Sequence, residues 1–351
     1  MSLLARFSTF ALVVFTTSGV MAAPTVYVPL GSANEITIID AATGEKVGAI
    51  GGLVNPHGLA VTADGKLLVV GSNQERVAAQ GKVPPKPEGM SEAEHLSHHK
   101  MPATGAASSI GLSHIDIIDV LSKKRLQRVE VKGAVHHNLV TPDGRYGIST
   151  HTSTGSISVI DLKTYKLIKT VSTGPMPNYA VISGDGKHIY VSNVGNGTIS
   201  EIDTATWIVT RNLIAGKAPE HLAISPDGSK LYVNNVGDGT VAVIALKTGK
   251  VTQIYSVGKS PHGISLSDDG KTLFVASKAG NKLVTLDLAT GEQQSVSLSP
   301  APYHVTTIRG TGKLYVSSRK LPKIWVVDQK TLAVLGEIKT KGFGHQMAVV
   351  D

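Results

Sequence analysis

A segment of about 42 residues is repeated along almost the whole chain, and this repeat limits the folds open to it. The residue that closes the third predicted strand of each copy is Asp40, Asp119, Asp161, Asp203, Ala245, Asp287 or Asp328. From Asp119 onward the intervals are 42, 42, 42, 42 and 41 residues, whereas Asp40 and Asp119 are 79 residues apart. The chain therefore contains seven copies, one of them with an insert of about 37 residues.

The copy at residues 177–217 shows what one repeat folds into. Four short runs rich in β-branched and aromatic residues are separated by turn sequences such as Gly184-Asp185-Gly186. A four-stranded unit of this size cannot bury both faces alone, and repeats of ~40–45 residues are typical of propeller blades packed around a channel. The sequence predicts an all-β, seven-bladed β-propeller with four strands per blade.

The two ends of the chain are predicted to share one blade. Thr25–Val28 matches the second strand of the other copies, so the N-terminal copy lacks a first strand. His345–Val350 matches the first strand at His57–Thr62. We expect the C-terminal strand to pair beside the N-terminal one, which leaves the ring without an open edge and makes residues 23–351 a single domain.

Residues 1–22 have the features of a secretory signal peptide. One cation, Arg6, precedes the apolar run Phe10–Phe15, and small residues follow before Ala23. The apolar run is too short to span a membrane, and we expect cleavage after Ala22. These features predict a periplasmic or secreted protein with no membrane span after cleavage.

Composition excludes several classes of site. The chain has no cysteine, which excludes disulfides, thiolate metal sites, a cysteine nucleophile and covalent c-type haem. Its net charge of +8 is spread over turns and outer strands, without a basic run or interleaved aromatic residues, and this disfavours nucleic-acid binding.

The insert, at about residues 74–112, is rich in Pro, Gly, Ala and His. A capping box at Ser91–Glu94 predicts a short helix that places His95, His98 and His99 on one face. Met90 and Met101 flank that helix, and thioether sulfur beside imidazole favours Cu(I). The alternative is an ordinary solvated helix face, because histidines at this spacing need a third ligand to bind a metal tightly.

Histidines recur at the blade entrances, by which we mean the first two residues of each innermost strand. Six of the seven copies carry one there, and the set is His57, His136, His137, His221, His262, His304 and His345. Innermost strands face the channel, so neutral imidazoles from several blades would converge at one mouth. Such a nitrogen site suits copper or zinc better than Ca²⁺ or Mg²⁺. His151, in a neighbouring loop on the same face, is a further candidate ligand.

A purely structural role for these histidines stays open at this stage. Some occupy the first and others the second entrance position, and side chains alternate along a strand, so not all are expected to point inward together. Buried histidines with a satisfied hydrogen-bond partner are common in proteins.

Repeat motifs carry a resemblance to a known family. The motifs are Tyr190–Asn193 and Tyr232–Asn235, with Thr141–Gly144 and Ser225–Gly228 before strands of the same kind. They resemble the YVTN-type β-propeller repeat family. The resemblance extends from Thr25 to Asp351, except for the insert. That family is similar to the propellers of haem d1 nitrite reductase and of copper-containing nitrous oxide reductase. The resemblance implies the fold, while function varies among such proteins. No electron-transfer copper domain follows here, so the resemblance does not imply the complete nitrous oxide reductase activity.

Glu220 and Asn178, both at blade entrances, raise the possibility of the acidic metal site of lactonase-like propellers, although a single carboxylate disfavours it. We therefore predict an exported metal-binding propeller, with copper first and zinc second, for metal handling or redox chemistry. Whether it is an enzyme is open. The alternative is a metal-free scaffold of the cell envelope that binds a protein or a small ligand.

Overall fold

The computed structural model describes residues 23–76 and 111–350, and within them 28 strands form seven four-stranded antiparallel sheets. In chain order the strands are β1 (Thr25–Leu30), β2 (Glu35–Asp40), β3 (Lys46–Ile50), β4 (Pro56–Val61), β5 (Leu67–Ser72), β6 (Leu112–Asp119), β7 (Arg125–Lys132), β8 (Asn138–Val140), β9 (Tyr146–His151), β10 (Ser156–Asp161), β11 (Lys166–Ser172), β12 (Pro177–Ile182), β13 (His188–Asn193) and β14 (Thr198–Asp203). They continue with β15 (Ile208–Ile214), β16 (Pro219–Ile224), β17 (Lys230–Asn235), β18 (Thr240–Ala245), β19 (Lys250–Ser256), β20 (Pro261–Leu266), β21 (Thr272–Ser277), β22 (Lys282–Asp287), β23 (Gln293–Ser297), β24 (Pro302–Ile308), β25 (Lys313–Ser318), β26 (Lys323–Asp328), β27 (Val334–Lys339) and β28 (Ala348–Val350). The predicted signal peptide and insert helix lie outside the described residues.

The seven sheets are the blades of the predicted propeller. Blade 1 has the strand order β28-β1-β2-β3, and blades 2 to 7 each consist of four consecutive strands, beginning with β4, β8, β12, β16, β20 and β24. β28 pairs antiparallel with β1, matching Thr25 to Val350 and Tyr27 to Ala348. The prediction of an all-β, seven-bladed propeller closed by strands from both ends of the chain is confirmed.

The hydrophobic core lies between the blades. Each of the seven main clusters of buried side chains in the described chain mixes residues from two adjacent blades. Tyr315 and Ile324 of blade 7, for example, pack with Val26 and Val28 of blade 1. A blade therefore buries its faces only when both neighbours are present, which explains why the repeats form a closed ring.

Helix contributes little to the described chain. Within residues 23–76 and 111–350 there is a single 3-10 turn, Gly31–Ala33. None of the helical structure there is long and apolar enough to cross a membrane.

In six of the seven copies an aspartate closes the third strand and organises the turn after it, as the sequence predicts. The carboxylate oxygen Oδ1 of Asp40 accepts hydrogen bonds from the backbone N–H groups of Ala42 and Thr43, both at 2.9 Å. These bonds hold the pKa of Asp40 below its ordinary value, with the Thr43 backbone N–H as the largest cause. The aspartates are therefore explained by turn structure and not by a catalytic role.

Five innermost strands begin with a strained turn. The residue before the proline has a left-handed backbone in each, with φ of 50° at Ala218 and 49° at Ser260. The carbonyl oxygens of these two residues accept hydrogen bonds from Val236 N and Lys278 N, both at 3.0 Å. A left-handed non-glycine residue costs about 1 kcal/mol or more, so these bonds hold a costly conformation at the entrances.

Candidate functional site

The structure brings the seven blade-entrance histidines into one contiguous cluster at the mouth of the channel. Ring centroids are 3.2 Å apart for His57 and His345, 4.4 Å for His345 and His304, 4.7 Å for His304 and His221, and 4.9 Å for His221 and His137. These five residues come from five different blades. His136 lies 4.4 Å from His137, and His262 lies 4.3 Å from His221, which completes the set.

A β-bulge explains how both entrance positions can serve one cluster. In blade 5 the pairing moves from Pro219 opposite Asn235 to Leu222 opposite Val233, so three steps on the inner strand match two on its neighbour. The extra residue breaks the alternation of side chains where Glu220 and His221 lie. The innermost strands of blades 2, 4, 6 and 7 show the same shift. The expectation that alternation of side chains would separate the histidines is therefore wrong where such a bulge is present.

Glycine follows the histidine at two entrances because neighbouring inner strands nearly touch. A Cβ atom at Gly58 would lie 2.7 Å from the Cα atom of His137 and 2.9 Å from the carbonyl oxygen of His136. A Cβ atom at Gly263 would likewise lie too close to the carbonyl oxygen of Tyr303, in blade 7. The His-Gly pattern thus allows adjacent blades to bring their imidazoles together.

Two groups of three histidines have nitrogen atoms close enough to share a metal ion. The groups are His57, His137 and His345, and His137, His221 and His304. Within each group the ligand atoms lie within 4.8 Å of one another. His137 belongs to both groups and is therefore the central histidine of the cluster.

Burial keeps the central imidazoles neutral. His137 and His345 are 1% and 6% exposed. Desolvation lowers the pKa of both well below the ordinary value, and neighbouring histidines add to the effect. Nε2 of His137 and both ring nitrogens of His345 have no hydrogen-bond partner among the described residues. Buried, neutral nitrogen atoms without a partner are what a metal ion requires of imidazole ligands.

Backbone carbonyls fix the orientation of two of these rings. Nδ1 of His57 donates a hydrogen bond to the carbonyl oxygen of His136 at 2.7 Å, and Nδ1 of His137 donates to the carbonyl oxygen of Asn178 at 2.9 Å. Both bonds place the proton on Nδ1 and leave Nε2 as the donor atom for a metal. Asn178 belongs to the one blade without an entrance histidine, so this blade supplies a supporting group instead.

A carboxylate also lies in the cluster. An Oε2 atom of Glu220 is 3.3 Å from Nε2 of His262, and both side chains are fully buried. The sequence identifies Glu220 only as a lone acid at an entrance. Its pairing with His262, from the next blade, depends on tertiary structure.

Aromatic rings and one amide complete the walls of the site. Tyr179 stacks on His221 at 4.3 Å and Tyr303 on His262 at 3.8 Å. The side-chain oxygen of Gln346 accepts hydrogen bonds from Leu59 N and Asn138 N, and its Nε2 donates to the carbonyl oxygen of Asn138. Sequence reasoning did not assign a role to Gln346, although its position directly after His345 was a possible signal.

His151, a further predicted ligand, makes other contacts and is in neither three-histidine group. His151 is buried, and its Nδ1 donates to the carbonyl oxygen of Gly133 while its Nε2 is 2.8 Å from Ser158 Oγ. Burial lowers the pKa of His151 to about 4. His95, His98 and His99 lie outside the described residues.

Comparisons with known proteins agree with this architecture. The family model of YNCE-like β-propellers matches residues 187–318. The resemblance to repeat propellers is confirmed. The matched segment covers the last three strands of blade 4, all of blades 5 and 6, and the first two strands of blade 7. No curated protein matches the chain significantly.

Solved structures share the fold at low sequence identity. A putative 6-phosphogluconolactonase from Bacteroides fragilis is 18% identical, with a TM-score of 0.72 over 95% of this chain and 99% of that one. The periplasmic gluconolactonase PpgL of Pseudomonas aeruginosa is 19% identical, with a TM-score of 0.69 over 93% and 99%. Dihydro-heme d1 dehydrogenase NirN is 14% identical, with a TM-score of 0.60 over 90% of this chain and 63% of that one. At these identities the likeness establishes the fold alone.

Proposed function

We propose that this chain is an exported propeller that binds a transition metal, copper first and zinc second, at its histidine cluster. The observation that carries the proposal is the pair of three-histidine groups that share His137. Ligands from separate blades would be held at fixed positions by rigid strands, which favours tight binding.

The donor set fits copper or zinc. Buried neutral imidazoles are good ligands for both metals, whereas Ca²⁺ and Mg²⁺ prefer oxygen. His137 would hold the metal together with His57 and His345, or together with His221 and His304. A bound metal would supply Lewis acidity, and copper would also supply one-electron chemistry. The protein's own contribution is to orient the rings through the carbonyls of His136 and Asn178 and to exclude water.

Metal analysis combined with thermal melting tests the proposal. Protein purified from its native compartment should contain copper or zinc. Adding metal to the stripped protein at a hundredfold excess over Kd should stabilise the fold by about 2.7 kcal/mol. His137→Ala should abolish this shift because it removes a ligand from both groups. His188→Ala is the matched control, since His188 lies beside Glu201, outside the cluster.

Two results would contradict metal binding. One is a wild-type melt that neither copper nor zinc changes, and the other is a metal response of His137→Ala equal to that of the wild type. Either result would favour the alternative, a metal-free scaffold that binds an envelope protein or a small ligand.

A second candidate function is hydrolysis of a sugar lactone, which the buried Glu220–His262 pair favours. Among the similar solved structures, one is called a putative 6-phosphogluconolactonase and another a periplasmic gluconolactonase. In this hypothesis the pair takes a proton from a water molecule, whose oxygen attacks the lactone carbonyl. The ring C–O bond then breaks, and the departing oxygen takes a proton to give the hydroxy acid.

Gluconolactone hydrolysis, corrected for its spontaneous rate, tests this second candidate. Glu220→Gln should lower kcat by about 100-fold or more, because the amide cannot accept a proton. A rate no higher than the spontaneous one in both stripped and metal-loaded wild-type protein would exclude it.

A further inference from the structure

Two basic side chains meet on one tyrosine of the histidine cluster. Cζ of Arg319 lies 5.3 Å and Nζ of Lys278 lies 5.7 Å from the centroid of the Tyr303 ring. Tyr303 is buried, stacks on His262 at 3.8 Å and lies 5.1 Å from His345. Both cations are therefore held beside the proposed metal site by cation–π contacts with the same ring.

Their backbone positions are fixed by the fold. Lys278 and Arg319 are the first residues after the second strands of blades 6 and 7, and both are half-buried. Their backbone N–H groups donate hydrogen bonds to the carbonyl oxygens of Ser260 and Ala301, at 3.0 and 2.9 Å. These carbonyls belong to the left-handed turns that start the neighbouring inner strands. The same turns thus place both the entrance histidines and the two cations.

The loops on the histidine face carry an excess of positive charge. In the described chain, the loops between second and third strands and between blades contain seven basic residues and two acidic ones. The basic residues are Arg76, Lys217, Lys259, Lys278, Arg319, Lys320 and Lys341, and the acidic ones are Glu75 and Asp238. The described loops on the opposite face contain ten basic and eight acidic residues, so that face is more nearly neutral.

One of these cations also lies close to the proposed metal ligands. Arg319 contacts the Tyr303 ring, whose centroid is 5.1 Å from that of His345. A basic rim around a partly desolvated mouth concentrates anions and strengthens their binding, because the low-dielectric walls focus the field.

We propose that this mouth binds a small anionic ligand, whose carboxylate or other oxyanion contacts Arg319 and Lys278 while its remainder faces the histidines. The inference deepens the proposed function, on which it rests for the ligand's role as a substrate or co-ligand at the metal site. Arg319 supplies a planar fork that matches two oxygen atoms, and Lys278 supplies a second positive charge. Glu220 in the same cluster would repel an anion. We therefore place the anionic group beside Arg319 and Lys278, on the side of Tyr303 that these two cations contact.

Calorimetric titration of the full chain at constant ionic strength tests this proposal. The probes are inorganic phosphate, sulfate and acetate, which separate a preference for a tetrahedral oxyanion from a preference for a carboxylate. Wild-type protein should bind at least one of them both without metal and after copper loading. Arg319→Gln should weaken that binding about tenfold or more, the loss expected for a charge-assisted hydrogen bond. Arg319→Lys, which keeps the charge but loses the fork, should give an intermediate affinity.

Lys320→Gln is the matched control, since it removes the same charge from the next residue of the loop, where the side chain is exposed. A change of less than twofold in this variant supports a defined site. Equal losses in Lys320→Gln and Arg319→Gln would overturn the proposal, because they would indicate only a general surface field. Absence of binding by all three probes would also overturn it. Metal uptake, measured separately in the wild type, keeps a failure of the metal proposal distinct from a failure of this one.

Discussion

Nε2 of His262 lies 3.3 Å from a carboxylate oxygen of Glu220, and neither side chain is exposed to solvent. The two residues come from adjacent blades, 5 and 6, and meet at the inner face of the ring. A buried carboxylate next to an imidazole cluster orients the ring it contacts and offsets the charge of a bound cation.

Replacing this carboxylate should weaken metal binding. We expect Glu220→Gln to lower copper affinity by about tenfold or more, because a buried carboxylate in the histidine cluster offsets the charge of a bound cation. Competition with a chelator of known affinity measures the change. Glu201→Gln is the control, since Glu201 is also buried but pairs with Arg211 away from the cluster. It should lower stability and leave copper affinity unchanged, and equal losses of affinity in both variants would contradict a local role for Glu220.

Acid should destabilise the metal-free protein well before the carboxylates titrate. Unfolded histidine binds a proton near pH 6.5, whereas burial lowers the pKa of folded His151 to about 4. Between pH 6.5 and 4 the unfolded state therefore binds more protons than the folded state. The free energy of unfolding is highest above pH 6.5 and falls as the pH is lowered toward 4. His151 alone accounts for about 3 kcal/mol over this range, and His137 and His345 act in the same direction.

Urea unfolding at pH 7.5, 5.5 and 4.5 checks this pH dependence. The midpoint should fall at each step, and His151→Gln should show a shallower fall because one titrating group is gone. A midpoint independent of pH over this interval would contradict the assignment of buried, neutral histidines.

Removing the C-terminal strand should open the ring. Deletion of residues 345–351 removes β28, which pairs with β1, together with the buried side chains of Met347 and Ala348. We expect a loss of about 3–5 kcal/mol in the free energy of unfolding, from lost apolar burial and unpaired backbone groups. Urea denaturation measures it, and a chain lacking only Asp351 is the control. An unchanged midpoint after the longer deletion would show that β28 does not stabilise the ring.

The residues that flank the insert should matter more to folding than the length of the insert. Arg76 N and Leu112 O are 2.8 Å apart, and the carboxylate of Glu75 accepts hydrogen bonds from Ala134 N, Ser153 Oγ and Gly111 N. Glu75→Ala should therefore cost about 2–3 kcal/mol, because these donors lose their acceptor.

Replacing residues 77–110 by a short Gly-Ser linker should leave the fold intact, because Arg76 and Leu112, on either side of the insert, already pair. Circular dichroism and melting compare the two proteins. Loss of folding in the linker variant would contradict this expectation, whereas retained folding with weaker copper uptake would support an accessory role for His95, His98 and His99.

The repeat period made the architecture predictable. Equal spacing from Asp119 to Asp287 counts the blades, and the match of His345–Val350 to His57–Thr62 predicts how the ring closes. These features are local and periodic, so each copy repeats the same information about strands and turns. The entrance histidines were found for the same reason, because their position within the repeat places them on innermost strands.

Contacts between blades could not be predicted in this way. Lys278 and Arg319 are 41 positions apart in the sequence and meet on Tyr303 only because blades 6 and 7 are adjacent. Gln346 likewise joins strands that lie more than 200 positions away along the chain.

The sequence alone determined the number of blades, the closure of the ring and which histidines lie at one mouth, because each of these follows from periodic local patterns. Only the tertiary structure decided that histidines from both entrance positions converge, that Glu220 pairs with His262 and that His137 is shared by two groups. The physical reason is the bulge after each left-handed turn, such as the one at Ala218. Its side-chain directions are set by hydrogen bonding to the neighbouring strand, and the rule of alternation along a single strand does not contain that information.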